Sequence, residues 1–121
     1  MGANKLKDTL GLQEEMRTHF SHAPVEYFEK LGMRAAPNRG ADGDGVYEFI
    51  HAFFTDIDQL TASVDILASK LADDGILWIS YPKDSTELSK ESVIDAFSAA
   101  GVTPKETIEV ITDWQGTKFV V

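Results

Sequence analysis

Ala72-Asp-Asp-Gly-Ile-Leu-Trp-Ile-Ser-Tyr-Pro-Lys83 is the stretch on which the fold turns. Ile76 to Ser80 is a short apolar run, rich in β-branched and aromatic residues, bounded by Gly75 and Pro82 and preceded by a long helical pattern. A run with these bounds reads as a buried strand at the centre of a parallel sheet. Asp73-Asp74-Gly75 reads as the stop of the preceding helix. Pro82, which has no N–H to give a neighbouring strand, ends the ladder after Tyr81.

Working outward, Thr55 or Asp56 is placed to cap a helix in which Ile57, Leu60, Val64, Leu67 and Leu71 recur every three or four residues. That spacing puts all five on one helical face. Before it, Val46 to Phe54 gathers Val46, Tyr47, Phe49, Ile50, Phe53 and Phe54 around Glu48 and His51, a second central strand. Val46 to Tyr81 is therefore predicted to be a βαβ unit with parallel strands and a right-handed crossover.

Downstream, Asp84 to Glu87 is polar and leads to Ser89, a helix N-cap flanked by Leu88 and Val93 at the spacing of a hydrophobic staple. Val93, Ile94, Phe97 and Ala100 form the buried face up to Gly101. Lys105 to Ile111 and Thr117 to Val121, joined through Thr112-Asp-Trp-Gln-Gly116, are spaced as a hairpin that closes the sheet with an antiparallel pair.

Upstream, Lys5 to Leu10 suits a short helix stopped by Gly11, with Leu6 and Leu10 facing the body. Glu15 to Ser21 alternates Met16, Thr18 and Phe20 against Arg17 and His19, the pattern of a half-buried strand. Ala23-Pro24 opens a helix with Val25, Phe28 and Leu31 on one face and Gly32 at its end. Met33 to Ala36 is a candidate short strand, and Pro37 to Asp44 is a loop by composition. The sum is one α/β domain over residues 1–121, a Rossmann-like three-layer sandwich whose mainly parallel sheet ends in an antiparallel hairpin. Phe49, Leu60, Leu67, Leu77, Ile79 and Phe97 are expected in its core.

Composition narrows what such a domain can do. The 121 residues carry 11 Lys+Arg against 20 Asp+Glu, a net charge of -9, which repels phosphate backbones and argues against a nucleic-acid partner. Zero cysteines exclude disulfides, thiolate zinc sites and thiol nucleophiles. No run approaches the roughly 18 apolar residues of a membrane span, and no cationic amphipathic segment suits anionic lipid. A cytoplasmic location with no membrane partner is expected. The Asp42-Gly-Asp44 run lacks the later bidentate Glu between helices that a calcium loop requires.

In an open α/β sheet, ligands bind beyond the carboxyl ends of the strands. Those ends point to His22, Thr55, Tyr81 and Lys83 as the candidate binding residues, with Lys83 as an anion contact. A dinucleotide or S-adenosylmethionine site wants glycine at the first β-to-α turn, and Phe20-Ser-His-Ala-Pro24 has none. His19 and His51 come together if their strands are neighbours, but without ligand spacing they read as satisfied or surface histidines, so no metal is assigned. No Gly-x-Ser-x-Gly elbow, phosphate-binding loop or carboxylate pair is present, and Trp78 and Trp114 read as packing residues.

The run Leu6-Lys-x4-Leu-x7-Phe-Ser-His-Ala-Pro-x3-Phe28, then His51-x-Phe-Phe-Thr, then Leu71-x3-Gly-Ile-Leu-Trp-Ile-Ser-Tyr-Pro-Lys83 and Asp113-Trp-x-Gly-x-Lys-Phe-Val120 resembles a small uncharacterised bacterial family. That family carries a domain of unknown function similar to a shortened class I methyltransferase fold. The resemblance implies a fold and no reaction, catalytic residue or cofactor. The expected function is a non-catalytic binding or interaction domain on a degenerate methyltransferase-like fold, its partner a small molecule or protein and its oligomeric state open. The alternative is a small transferase-like enzyme holding a nucleotide-type ligand at the carboxyl ends of the strands.

Overall fold

The computed structural model describes residues 9–11, 17–31, 47–86, 88–111 and 113–120. Among the described residues, eight elements follow one another: β1 (Thr18–Ser21), α1 (Val25–Leu31), β2 (Tyr47–Phe53), α2 (Ile57–Ser69), β3 (Leu71–Pro82), α3 (Lys90–Phe97), β4 (Thr103–Ile111) and β5 (Trp114–Val120). Before them, Thr9 and Leu10 are helical and Gly11 takes φ +83, the left-handed conformation that stops a helix. The expected strand at Met33 to Ala36 and the loop at Pro37 to Asp44 lie outside the described residues. No described helix is long and apolar enough to cross a membrane.

The five strands form one sheet in the order β1-β2-β3-β5-β4. β1 with β2 and β2 with β3 are parallel; β3 with β5 and β5 with β4 are antiparallel. The sheet is thus evenly mixed, which corrects the expectation of a mainly parallel one. β3 is its middle strand but sits at the junction of the two halves rather than inside a parallel sheet. The cause is the hairpin: β5 folds back between β3 and β4, so the last-but-one strand becomes the edge. Pro104, Lys105 and Glu106 are exposed on that edge, where a missing N–H costs no ladder bond and charges discourage further pairing.

The helix before β3 is shorter than its periodicity suggests. Asp56 caps α2 by accepting from the Gln59 N–H at 2.8 Å, and Leu60, Val64 and Leu67 are buried as expected. Lys70 is already the C-cap, and its carbonyl accepts from the Tyr47 N–H at 2.7 Å, which starts the ladder at once. Leu71 therefore begins β3, and Asp73-Asp74-Gly75 lies within that strand instead of ending the helix. The register absorbs these residues as a bulge: Tyr47 pairs with Leu71, Phe49 with Ile76.

α3 opens on a full capping box, in which the Ser89 hydroxyl accepts from the Ser92 N–H at 3.2 Å while Ser92 Oγ accepts from the Ser89 N–H at 2.8 Å. Leu88 and Val93 are both buried beside it. Gly116 of β5 is level with Ser80 of β3, and an added Cβ there would meet Ser80 Oγ at 2.7 Å and Val110 Cγ2 at 2.9 Å.

The alternation of side chains across the strands builds two cores. Ile50, Ala52, Leu77, Ile79, Tyr81 and Phe119 pack with α2 and α3 on one face. Phe20, Phe49, Phe53, Trp78, Val110 and Ile111 pack with Leu10 and Tyr27 on the other. All six residues expected in the core are buried. On α1, Tyr27 is fully buried and Phe28 half-buried, while the side chains of Val25 and Leu31 lie outside what the structure describes.

Candidate functional site

Because β1, β2 and β3 run parallel, their carboxyl ends open on one edge of the sheet. His22 follows β1, Thr55 follows β2 and Lys83 follows β3, so the topology brings these three to that edge, and all are exposed. Tyr81 is not exposed there. Its side chain is fully buried toward α2 and α3, its hydroxyl lies 3.3 Å from Thr117 Oγ1, and burial raises its pKa.

Lys83 is tied into the hairpin on both sides of its residue. Its ammonium forms an ion pair with Glu109 at 3.0 Å, and its N–H donates to the Asp113 carbonyl at 2.9 Å. The hairpin thereby closes over the end of β3. Trp114, opposite Pro82, packs its ring on the edge of Phe53 with centroids 5.3 Å apart.

The first turn is built without glycine, and His22 itself takes φ 57. That left-handed conformation is uncommon for a residue with a side chain, although His is among those that adopt it. Ala23 and Pro24 follow, and the Pro24 carbonyl accepts from the Tyr27 N–H at 3.1 Å. Pro24 has no N–H of its own to offer an anion.

The histidines separate. β1 and β2 are neighbours, but His19 is level with Ile50 while Phe20 is level with His51, so the two imidazoles lie on opposite faces of the sheet. His19 packs against the Tyr47 ring at 5.3 Å, and burial together with the charge of Lys70 lowers its pKa. Among the described residues, no three His, Asp or Glu side chains lie together as a metal site.

His51, weighed in the sequence as a satisfied or surface histidine, is a satisfied one. It is fully buried; its Nδ1 lies 2.7 Å from the Tyr27 hydroxyl and its Nε2 lies 2.6 Å from Ser80 Oγ. The Phe53 ring stacks on it at 4.4 Å, and Tyr27 meets it edge-on at 4.7 Å. Burial holds the imidazole well below its ordinary pKa, so it is neutral, with one N–H and one lone pair that the two hydroxyls match. A serine, a histidine and an orienting hydroxyl have the order of a nucleophile and its base. Here Ser80 and His51 are both 0% exposed, so no substrate reaches them, and the chain instead ties α1 to β2 and β3. The sequence signal was a histidine set in the apolar run between Ile50 and Ala52, which needs a buried partner.

Solved structures that resemble this chain include methyltransferases. The 1,6-didemethyltoxoflavin-N1-methyltransferase of Burkholderia thailandensis matches with a TM-score of 0.59 and 15% identity, over 94% of this chain and 73% of that one. A TehB-like SAM-dependent methyltransferase from Corynebacterium glutamicum matches with a TM-score of 0.58 and 8% identity, over 97% and 85%. The ribosomal protein L11 methylase of Lactobacillus delbrueckii matches with a TM-score of 0.52 and 18% identity, and this chain spans 84% of its own length but only 55% of that methylase. At such identities the likeness establishes an α/β fold with a mixed sheet similar to methyltransferase Rossmann-like folds, and nothing of the chemistry. No curated protein matches the chain. Residues 40–121, more than half of the sequence, match the family described as "Protein of unknown function (DUF3052)", and the chain belongs to that family.

Proposed function

We propose that this protein is a non-catalytic binding or interaction domain on a methyltransferase-like sheet that does not hold S-adenosylmethionine as the enzymes of that fold do. The observation that carries the proposal is the first β-to-α turn. Close approach of backbone to a nucleotide-like ligand asks for glycine there, and Phe20-Ser21-His22-Ala23-Pro24 supplies five side chains, one of them on a left-handed residue. The polar groups beneath that edge are also committed to the fold, His51 to Tyr27 and Ser80 and Tyr81 to Thr117, and the exposed Lys83 is ion-paired with Glu109. What remains on the edge, His22 and Thr55, suits contact with a partner more than proton transfer to a bound substrate.

Thermal unfolding with S-adenosylhomocysteine tests this. A ligand present at about 100 times its Kd stabilises the fold by about 2.7 kcal/mol, which moves the Tm by several degrees in a domain of this size. The proposal expects no shift at millimolar S-adenosylhomocysteine; a dose-dependent rise would restore the transferase reading.

A further inference from the structure

β1, β2 and β3 lie side by side in that order and run parallel. α2, between β2 and β3, packs on the face that carries Ile50, Ala52, Leu77 and Ile79. α1, between β1 and β2, packs on the opposite face, where Tyr27 meets Phe20, His51 and Phe53.

Two crossovers that step the same way across a sheet but over opposite faces have opposite hands. Parallel crossovers are right-handed in about 98% of cases. The β2–α2–β3 step is complete among the described residues and joins neighbouring strands directly, so it takes the right hand. A direct β1–α1–β2 step would then be left-handed. The face on which α1 sits suits a right-handed step taken the other way, from β1 to a strand on its outer flank.

The backbone of β1 points to the same flank. The Arg17 carbonyl accepts from the Glu48 and Phe49 N–H groups at 3.0 and 3.1 Å, so it faces β2. Backbone polar groups turn to alternate sides along a strand, which aims those of Thr18 and Phe20 away from β2. Thr18 and Phe20 each have a further interaction, which for Phe20 is additional to its ring contacts with Tyr27, Phe28 and Phe49.

We propose that the outer edge of β1 is paired with the Met33 to Ala36 run of this same chain, parallel to β1. The connection from α1 to β2, residues 32–46, supplies the length. Four strand residues rise about 13 Å. The return to β2 covers that height and about 10 Å of sheet, and residues 37–46 reach roughly 33 Å. α1 then crosses right-handed, and β1 becomes an inner strand. A sheet edge is where a partner adds a strand, so this flank is closed to that mode of binding. The inference stands independently of the function proposed above.

Backbone amide exchange and interstrand nuclear Overhauser contacts of the labelled full chain test this, with its mass followed by light scattering. The expected result is a monomer in which the Thr18 and Phe20 amides exchange as slowly as those of His19 and Ser21, with backbone contacts from β1 to residues 33–36. Fast exchange at Thr18 and Phe20 beside slow exchange at His19 and Ser21 would leave the edge open and overturn the proposal. So would protection without contacts to residues 33–36, or protection that appears only with a dimer, which gives the edge to a second copy.

Discussion

Replacing Tyr27 by Phe removes one oxygen and keeps the ring that packs against His51, Phe20, Phe28 and Phe53. The ring, its burial and its edge-on contacts survive, so the cost is that of leaving His51 Nδ1 without its partner at 2.7 Å. His51 is 0% exposed and no water can replace the hydroxyl without opening the aromatic cluster, so the whole penalty for an unpaired buried polar group applies, about 1–3 kcal/mol. Against a total stability of about 5–15 kcal/mol this is a large fraction. Urea unfolding followed by the fluorescence of buried Trp78 reads it directly as a lower midpoint at unchanged slope. A loss under about 0.5 kcal/mol, the size of an ordinary surface effect, would refute the structural role given to the Tyr27–His51–Ser80 chain.

Other perturbations follow from the same contacts. Leu67→Ala empties a buried position on α2 beneath the sheet and should cost about 2–5 kcal/mol in denaturant unfolding; a surface-sized change would mean that another face of the helix is inward. Gly116→Ala drives a methyl to 2.7 Å from Ser80 Oγ and should destabilise by about 1–3 kcal/mol, with unchanged stability contradicting the close contact of Gly116 with Ser80 across the β3–β5 pair. Acidification should weaken the fold in two stages. Unfolded His51 takes a proton near its ordinary 6.5 while the buried imidazole stays neutral, so its contribution is full above 6.5 and falls as the pH drops below it. Glu48, held down to about 2 from 4.5 by hydrogen bonds from the Arg17 side chain and N–H, adds a loss that begins near 4.5 and completes near 2. Urea midpoints measured at about pH 7.5 and about pH 5.5 read the first stage, to which the lowered pKa of His19 adds in the same direction, and equal midpoints would contradict the neutral buried histidine.

The parts of the fold legible in the sequence are those in which one local pattern has one outcome. Ser89 with Leu88 and Val93 fixes the start of α3 because cap and staple are short-range, and the three- and four-residue steps of Leu60, Val64 and Leu67 leave α2 one way to face. Leu71 misled because it is buried whether it ends a helix or begins a strand, so periodicity cannot separate the two. The position of β5 is a question of which strand forms the edge, which hairpin spacing does not answer, although Pro104, Lys105 and Glu106 in β4 carried the edge signal. At the candidate site, the ends of three parallel strands were readable as His22, Thr55 and Lys83. The inward turn of Tyr81 depends on the parity of β3, whose Leu77, Ile79 and Tyr81 share one face. The pairing of His51 with Tyr27 and Ser80 joins residues 24 and 29 positions away, and nothing local announces it.

The central proposal is that a sheet similar to those of methyltransferases, with no glycine in its first β-to-α turn, does not hold S-adenosylmethionine. Calorimetric titration of the purified protein with S-adenosylmethionine measures that directly. The glycine-free turn at Phe20 to Pro24 predicts no saturable heat, and saturable binding tighter than about 100 μM, roughly 5.5 kcal/mol of affinity, would contradict it.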